Sequence, residues 1–203
     1  MAGQEKKEKH TKLSKVILAS SSEVRKIMLN QYFTEVINVP HNVEEEKYKK
    51  QKKNPEEIVL RIAKEKALSV LEDYPNETII ASDQILVCDN NLLSKPKSLE
   101  EATKKLLFLR NKTHKLHSST YVIQKGKLYF QQVKEASLFF ANISQNDIEL
   151  YVKNNKKTVL TTVGSYKIEE NSKYKFLRII EGDRETILGF PIEDLIKKIK
   201  NEK

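Results

Sequence analysis

The stretch "VILASSSEVRKIML", residues 16–29, decides the fold. Val16 to Ala19 is a short apolar run of the length of a buried strand, and it runs into Ser20, Ser21 and Ser22 with no glycine at the junction. Val24, Ile27 and Met28 then recur at helical spacing, which predicts a helix from Glu23 to Asn30. Ser20 followed by Glu23 makes a capping box, and Ser22 is an N-cap in a register two residues later; either begins the helix. A strand that ends in hydroxyls and opens a helix is an anion site. The first backbone N–H groups point outward, the helix dipole favours negative charge, and serine hydroxyls add donors. Arg25 sits one turn in, where a guanidinium can fork onto phosphate oxygens. The plain alternative is that the serines only cap the helix. A phosphate loop of the Walker type is excluded, because its glycines and Gly-Lys pair are absent.

Outward from this corner, strands and helices interleave. "TEVINVP" alternates like a strand, and "HNVEEEKYKKQKKN" reads as a charged loop. Residues 55–74 open with Pro55, carry acids in the first turn and repeat apolar residues at helical spacing, which predicts a helix. "ETIIASDQILVCDNN" reads as a β-branched strand interrupted at Ala81, Ser82 and Asp83, resuming to an Asn90-Asn91 turn. "SLEEATKKLLFLRN" is a helix with a capping box from Ser98 to Glu101. Two long strands joined near Lys125-Gly126 follow, then a capped helix in "SQNDIELYVKNN". The final stretch from Lys173 reads as two strands around Glu181-Gly182-Asp183 and a helix opened by Pro191. This order predicts an α/β fold with a mixed, twisted central sheet flanked by helices.

The 203 residues suit one domain, expected over residues 15–203 behind a basic, disordered tail at 1–14. The formal charge is +9, but residues 1–15 hold five Lys against two Glu and residues 197–203 four Lys against one Glu. The body therefore carries only about +3, and a solvated surface explains it better than nucleic acid does. Aromatics interleaved with basic residues in "KLYFQQVKEASLFF" are read as core, so no specific nucleic-acid partner is expected. Cys88 is the single cysteine; it excludes an intrachain disulfide, and its apolar neighbours suggest a buried thiol. No apolar run approaches the roughly 18 residues of a membrane span, and the first 15 residues lack the apolar core of a signal peptide, so a cytoplasmic protein is expected. His114 and His117 lie three apart on a predicted strand and face opposite sides, so they make no metal pair.

Three further features bear on chemistry. Asp83 is an acid inside a strand that should be apolar, a position suited to a catalytic carboxylate. "SKP", Ser94 to Pro96, sets Lys95 on a rigid extended corner from which it can reach back to phosphate. "VEEE", Val43 to Glu46, is either solvated loop or a source of oxygen ligands for a hard divalent cation.

In this order the features resemble the Maf family of nucleoside triphosphate pyrophosphatases, a family related in fold to the inosine triphosphatases. Ala19 to Arg25 is similar to the family's Ala-Ser-x-Ser-Pro-x-Arg motif, with Glu23 and Val24 standing where the proline and, in many members, a first arginine occur. Val43, Glu44 and Glu45 resemble its Val-Asp-Glu element, and Lys64 to Ala67 its Lys-x-Lys-Ala element. "ASDQ" with Asp83 resembles the catalytic strand, and Ser94, Lys95 and Pro96 the Gly-Lys-Pro corner. "THKLHSSTYV", "VGSYKIEE" and "IEGDRETILGFPI" resemble three later elements, so the likeness spans roughly residues 16–196.

The resemblance implies a cleft between two lobes and hydrolysis between the α and β phosphates, giving a nucleoside monophosphate and pyrophosphate. It implies Asp83, Glu45 and Lys95 as catalytic, with Glu45 and Asp83 holding Mg²⁺ or Mn²⁺, and Ser20, Ser21, Ser22, Arg25 and Lys66 binding phosphate. It assigns base specificity to Val24, Gln84 and Glu169. Gln84 and Glu169 resemble the subgroup acting on 7-methylguanosine triphosphate rather than the thymidine and uridine triphosphate subgroup. A carboxylate can accept two hydrogen bonds from guanine's N1–H and exocyclic amine, a donor pair that thymine and uracil lack. A homodimer, and roles in nucleotide house-cleaning or cell-division arrest, are further family expectations. The rival readings are a nucleic-acid-binding module and a catalytically dead relative used as a scaffold.

Overall fold

The computed structural model describes residues 14–51 and 54–202. Apart from Ser14, the expected basic tail lies outside the described residues.

The chain runs β1 (Val16–Ala19), α1 (Glu23–Leu29), β2 (Val36–Val39), α2 (Glu45–Lys49), α3 (Pro55–Leu68), β3 (Thr78–Cys88) and β4 (Asn91–Leu93). It continues through α4 (Leu99–Leu109), β5 (Lys112–Gln124), β6 (Lys127–Phe140), α5 (Gln145–Asn154) and α6 (Lys156–Thr161). A 3₁₀ turn at Ile168–Glu170 leads into α7 (Asn171–Tyr174), β7 (Leu177–Glu181), α8 (Arg184–Ile187) and α9 (Glu193–Asn201). The strands form one sheet in the order β2-β1-β3-β5-β6-β7, with β4 paired to β3. β1 is parallel to β2 and β3, and every other pairing is antiparallel, so the sheet is mixed.

β1 can be four apolar residues in a row because both of its faces are covered. Ile17 and Ala19 pack with Ala63 and Ala67 of α3, while Val16 and Leu18 pack with Met28, Leu29 and the Phe190, Leu195 side chains near the C-terminus. α3 is the predicted helix with its proline at the first turn and the Asn54 side chain accepting from the Glu56 N–H at 3.0 Å. It ends at Leu68 rather than near Tyr74. A second lobe gathers Leu86, Leu106, Phe140, Ile148 and Tyr151 under α4 and α5.

Three sequence expectations are corrected. β3 is unbroken through Ala81, Ser82 and Asp83, because each polar residue has a partner inside the protein: Ser82 Oγ donates to the Gly189 carbonyl at 2.8 Å, and Asp83 meets Lys66. The charged segment after Val43 holds α2, a helix with no buried residue, whose Lys49 pairs with Glu45 and Glu46 one turn back. The stretch after Gly182 is α8 and not a strand, since Asp183 caps it by accepting the Thr186 N–H at 2.7 Å.

The α8 segment also satisfies buried groups of the sheet. The carbonyl of Thr186 accepts from Ser118 and Gln84, that of Ile187 from Gln84, and that of Pro191 from Thr120 and Gln132. Hydroxyls and amides can therefore sit inside long strands without being left unpaired. Cys88 is buried as expected. His114 and His117 do face opposite ways: His114 bonds Tyr166 and His117 approaches Glu135. No helix among the described residues is long and apolar enough to cross a membrane.

Candidate active site

At the β1–α1 corner the helix takes the later register. Ser22 is the N-cap, its side chain accepting from the Arg25 N–H, while Ser20 Oγ accepts the Ser22 N–H at 3.1 Å. Ser20 is buried and Ser21 exposed, so the three hydroxyls do different things. Arg25 lies half-buried and turns its guanidinium across the top of the sheet. Its Nε donates to the Gly189 carbonyl at 3.1 Å and its Nη1 to the Ser82 carbonyl at 2.8 Å. Burial lowers the Arg25 pKa, and the charges of Asp83 and Glu45 act against that.

Beside Arg25 is a cluster of opposed charges. Lys66 of α3 is 3% exposed and Asp83 of β3 is 4% exposed. Lys66 Nζ lies 2.7 Å from Asp83 Oδ1 and 2.6 Å from Glu45 Oε1. Lys49 Nζ holds the other Glu45 oxygen at 3.1 Å and Glu46 at 3.2 Å. Burial alone would raise the Glu45 pKa, but Lys66 and Lys49 outweigh it and hold the carboxyl down at about 2. Asp83 Oδ2 is buried with no hydrogen-bond partner among the described residues.

Lys95 faces this cluster from the corner after β4. Desolvation lowers its pKa, Glu45 opposes that, and Arg25 and Lys66 add to it. Its neighbour Ser94 is fixed by an Oγ bond to Glu46 Oε2 at 3.0 Å. His41 completes the rim, with Nδ1 accepting the Val43 N–H at 3.3 Å and Nε2 3.8 Å from Glu45. Burial, then Lys66, bring the His41 pKa down to about 4, so its imidazole is neutral at pH 7.

On the other face of β3 lies an open crevice between the two lobes. Val24, Gln84 and Leu188 line one side, and Gly164, Tyr166, Lys167 and Glu169 the other. Successive residues of a strand point to opposite faces, which is why Asp83 meets α3 while Gln84 meets α8 and the crevice. Gln84 Nε2 is committed to Ser118 Oγ and to the Thr186 and Ile187 carbonyls, at 3.0 to 3.1 Å.

The Maf-like protein family model matches residues 15–202. The chain belongs to the Maf family. Among Maf relatives, the Nitrobacter winogradskyi protein named nucleoside triphosphate pyrophosphatase is 33% identical over 189 residues, covering 92% of this chain and 93% of the relative. The Pyrococcus furiosus protein named dTTP/UTP pyrophosphatase is 35% identical over 188 residues, covering 93% and 95%. The Staphylococcus aureus Ham1 protein superposes with a TM-score of 0.52 at 17% identity, over 93% of this chain and 100% of that one, which shows that the Maf fold here is of the same type as the inosine-triphosphatase-like fold.

The Maf chain thus brings Glu45, Lys66, Asp83, Arg25 and Lys95 into one charged cluster, with Ser20 and Ser22 at its edge. Val24, Gln84 and Glu169 gather separately in the crevice. Lys66 spends its ammonium on two carboxylates. His41, Lys49 and Gly189 were not singled out from sequence; of these, only Gly189 carried a visible signal, as part of "LGFP".

The donor set fits a hard divalent cation. Asp83 Oδ2 is a buried oxygen lacking a partner, Glu45 stands on the same lysine, and oxygen-only ligands suit Mg²⁺ or Mn²⁺. No group of three or more His, Cys, Asp or Glu surrounds one point among the described residues. Phosphate and water oxygens would supply the remaining ligands.

Proposed function

We propose that this Maf protein adds water at the α-phosphorus of a nucleoside triphosphate, breaking the α–β bond and releasing the monophosphate and pyrophosphate, with the crevice at Gln84 and Glu169 taking a guanine-type base such as that of 7-methyl-GTP. The enzyme class rests on family membership and on relatives named nucleoside triphosphate pyrophosphatase, which make the chain a hydrolase of phosphoanhydride bonds. The observation that carries the reading is the meeting of Asp83, whose Oδ2 lacks a partner among the described residues, with Arg25, Lys66 and Lys95, and the crevice lined by Gln84 and Glu169 on the other face of β3.

In this reading the N–H groups and hydroxyls at Ser20, Ser21 and Ser22, with Arg25, hold phosphate oxygens of the leaving pyrophosphate. Lys95 closes on the triphosphate from the opposite side. Asp83 Oδ2 receives a proton from the attacking water, and Lys66 fixes the carboxylate through Oδ1 so that Oδ2 presents its lone pair. Aspartate is a weak base at pH 7, so most of the acceleration comes from electrostatic stabilisation by fixed charges. A divalent cation held by Glu45 and Asp83 would supply further neutralisation of the triphosphate and a lowered pKa for water. Glu169 accepts guanine's N1–H and amine, as argued from its two oxygens.

A second reading keeps the reaction and changes the base. The Pyrococcus furiosus relative is named dTTP/UTP pyrophosphatase, which favours thymine or uracil in the crevice. Both readings take residues 15–203 as one catalytic domain acting in the cytoplasm, supported by the family match over 15–202 and the unpaired Cys88. A homodimer rests on family resemblance and is tested by sedimentation. The deciding assay is pyrophosphate release from 7-methyl-GTP, GTP, TTP and UTP with Mg²⁺ or Mn²⁺, using Asp83→Asn as blank. Release that vanishes in the blank is expected, highest for 7-methyl-GTP. No release from any nucleotide overturns the reading.

A further inference from the structure

Lys105 of α4 is half-buried and carries none of the chemistry described above. Its Nζ donates to the carbonyl of Ser94 and, at 3.0 Å, to the carbonyl of Val163. These acceptors belong to the two places a nucleotide would touch. Ser94 precedes Lys95 at the charged corner, and Val163 precedes Gly164 in the crevice wall. Neither segment is regular secondary structure, so neither has a ladder of its own to fix its carbonyls. One ammonium does that for both.

The contacts continue past Ser94. Its hydroxyl donates to Glu46, Glu46 shares Lys49 with Glu45, and Glu45 meets Lys66. The crevice wall is closely packed, and the Tyr166 hydroxyl in it bonds His114 of β5. A Cβ added at Gly164 would lie 2.4 Å from the Tyr166 ring, and Ser165 holds φ at 58°.

We propose that Lys105 is a positioning residue that fixes the span between the base-side wall at Val163 and the phosphate-side corner at Lys95, so that one nucleotide engages both. This inference rests on the proposed reading that base and triphosphate occupy these two places. An ammonium with two carbonyl partners makes charge-assisted bonds, roughly twice as strong as neutral ones. Burial brings the Lys105 pKa down to about 8, against the pull of Glu101 on its own helix; Lys49 of α2 lowers it further and Glu46 of α2 raises it. Loss of that proton weakens both bonds at once, and the span loosens as pH rises through about 8.

The test compares wild type, Lys105→Met and Lys105→Arg in the full chain. KM and kcat for 7-methyl-GTP and UTP are measured at pH 7 and pH 9, and hydrogen exchange of residues 92–98 and 161–167 is followed without nucleotide. Lys105→Met is expected to raise KM about tenfold at pH 7 with kcat within about threefold, since misplacement far from the chemistry weakens productive binding. Wild type is expected to show a smaller rise in the same direction between pH 7 and pH 9, because the neutral amine still donates. Lys105→Arg keeps its charge and stays near the wild-type pH 7 value at both. Both segments should exchange faster in Lys105→Met and near normally in Lys105→Arg. An active, folded Lys105→Met with unchanged KM overturns the inference and leaves the pyrophosphatase reading standing. A wild type that releases no pyrophosphate overturns that reading, and exchange then decides whether Lys105 couples the two segments. If Lys105→Met does not fold, Lys105→Gln takes its place, and an active Lys105→Gln with unchanged KM and unchanged exchange of both segments overturns the inference.

Discussion

The carbonyl of Gly189 accepts the Nε–H of Arg25 at 3.1 Å, joining residues 164 positions apart. The same carbonyl accepts Ser82 Oγ at 2.8 Å, so one backbone oxygen ties the first helix to the central strand. Gly189 holds φ at 84°, and a Cβ there would meet Gln84 at 3.1 Å. Gly189→Ala should cost about 1–2 kcal/mol from the left-handed conformation alone, with more where Gln84 cannot yield. Urea unfolding measures this. A variant as stable as wild type would refute both the backbone cost and the cost of the close approach to Gln84.

Lys66 neutralises two carboxylates at once, so its removal should hurt more than the removal of either acid. Lys66→Met leaves the buried Asp83 without its cation and Glu45 with Lys49, and breaking a buried pair of the Lys66–Asp83 kind costs about 3–5 kcal/mol. Mn²⁺ should then raise the Tm of the variant more than that of wild type. No Mn²⁺ shift in either protein would mean that the two acids do not hold a divalent cation.

Acid should unfold the protein in two stages. His41 and His114 are both brought down to about 4 from 6.5, chiefly by burial, and Glu45 to about 2 from 4.5. Folded values below unfolded ones mean that the unfolded chain binds more protons, so each contribution is full above the unfolded value and is lost as pH falls. The histidine part goes between pH 6.5 and about 4, the Glu45 part between pH 4.5 and about 2. Melting temperatures from pH 7 to pH 3 should decline through both windows, and His41→Gln and His114→Gln should each flatten the upper one. A wild-type Tm that is constant from pH 7 to pH 5 would refute the first stage.

Glu169 lines the crevice far along the chain from Gln84, yet across the same space. Glu169→Gln replaces one acceptor oxygen by a donor amide. Turnover of 7-methyl-GTP relative to UTP should fall by about 10-fold or more, because a site built for a donor pair is left with an unpaired group. An unchanged ratio would remove Glu169 from base recognition.

Legibility in the sequence followed the local signals. The β1–α1 corner and α3 were readable because Ser22, Asn54 and Pro55 act on their own backbone neighbours. α2 was not, since it buries nothing and its charges gain their meaning from Lys66 and Ser94 elsewhere in the chain. α8 passed for a strand because "RETIL" has β-branched residues, although Asp183 and Thr186 already spelled a cap. Asp83 looked like an interruption because its partner, Lys66, comes from another element. His41 and Lys105 stood out in no pattern; only the folded chain shows what they touch.

The segment from Thr186 to Pro191 supplies carbonyls to Arg25, Ser82, Gln84, Ser118, Thr120 and Gln132. During synthesis all six side chains leave the ribosome before their acceptors exist. The nascent sheet can pair its strands, and Arg25 can reach the Ser82 carbonyl, but its Nε has no Gly189 carbonyl to meet until residues 186–191 emerge. The last bonds that fix Arg25 and Ser82 are thereby formed late, whereas the Glu45–Lys66–Asp83 pairs need nothing beyond Asp83.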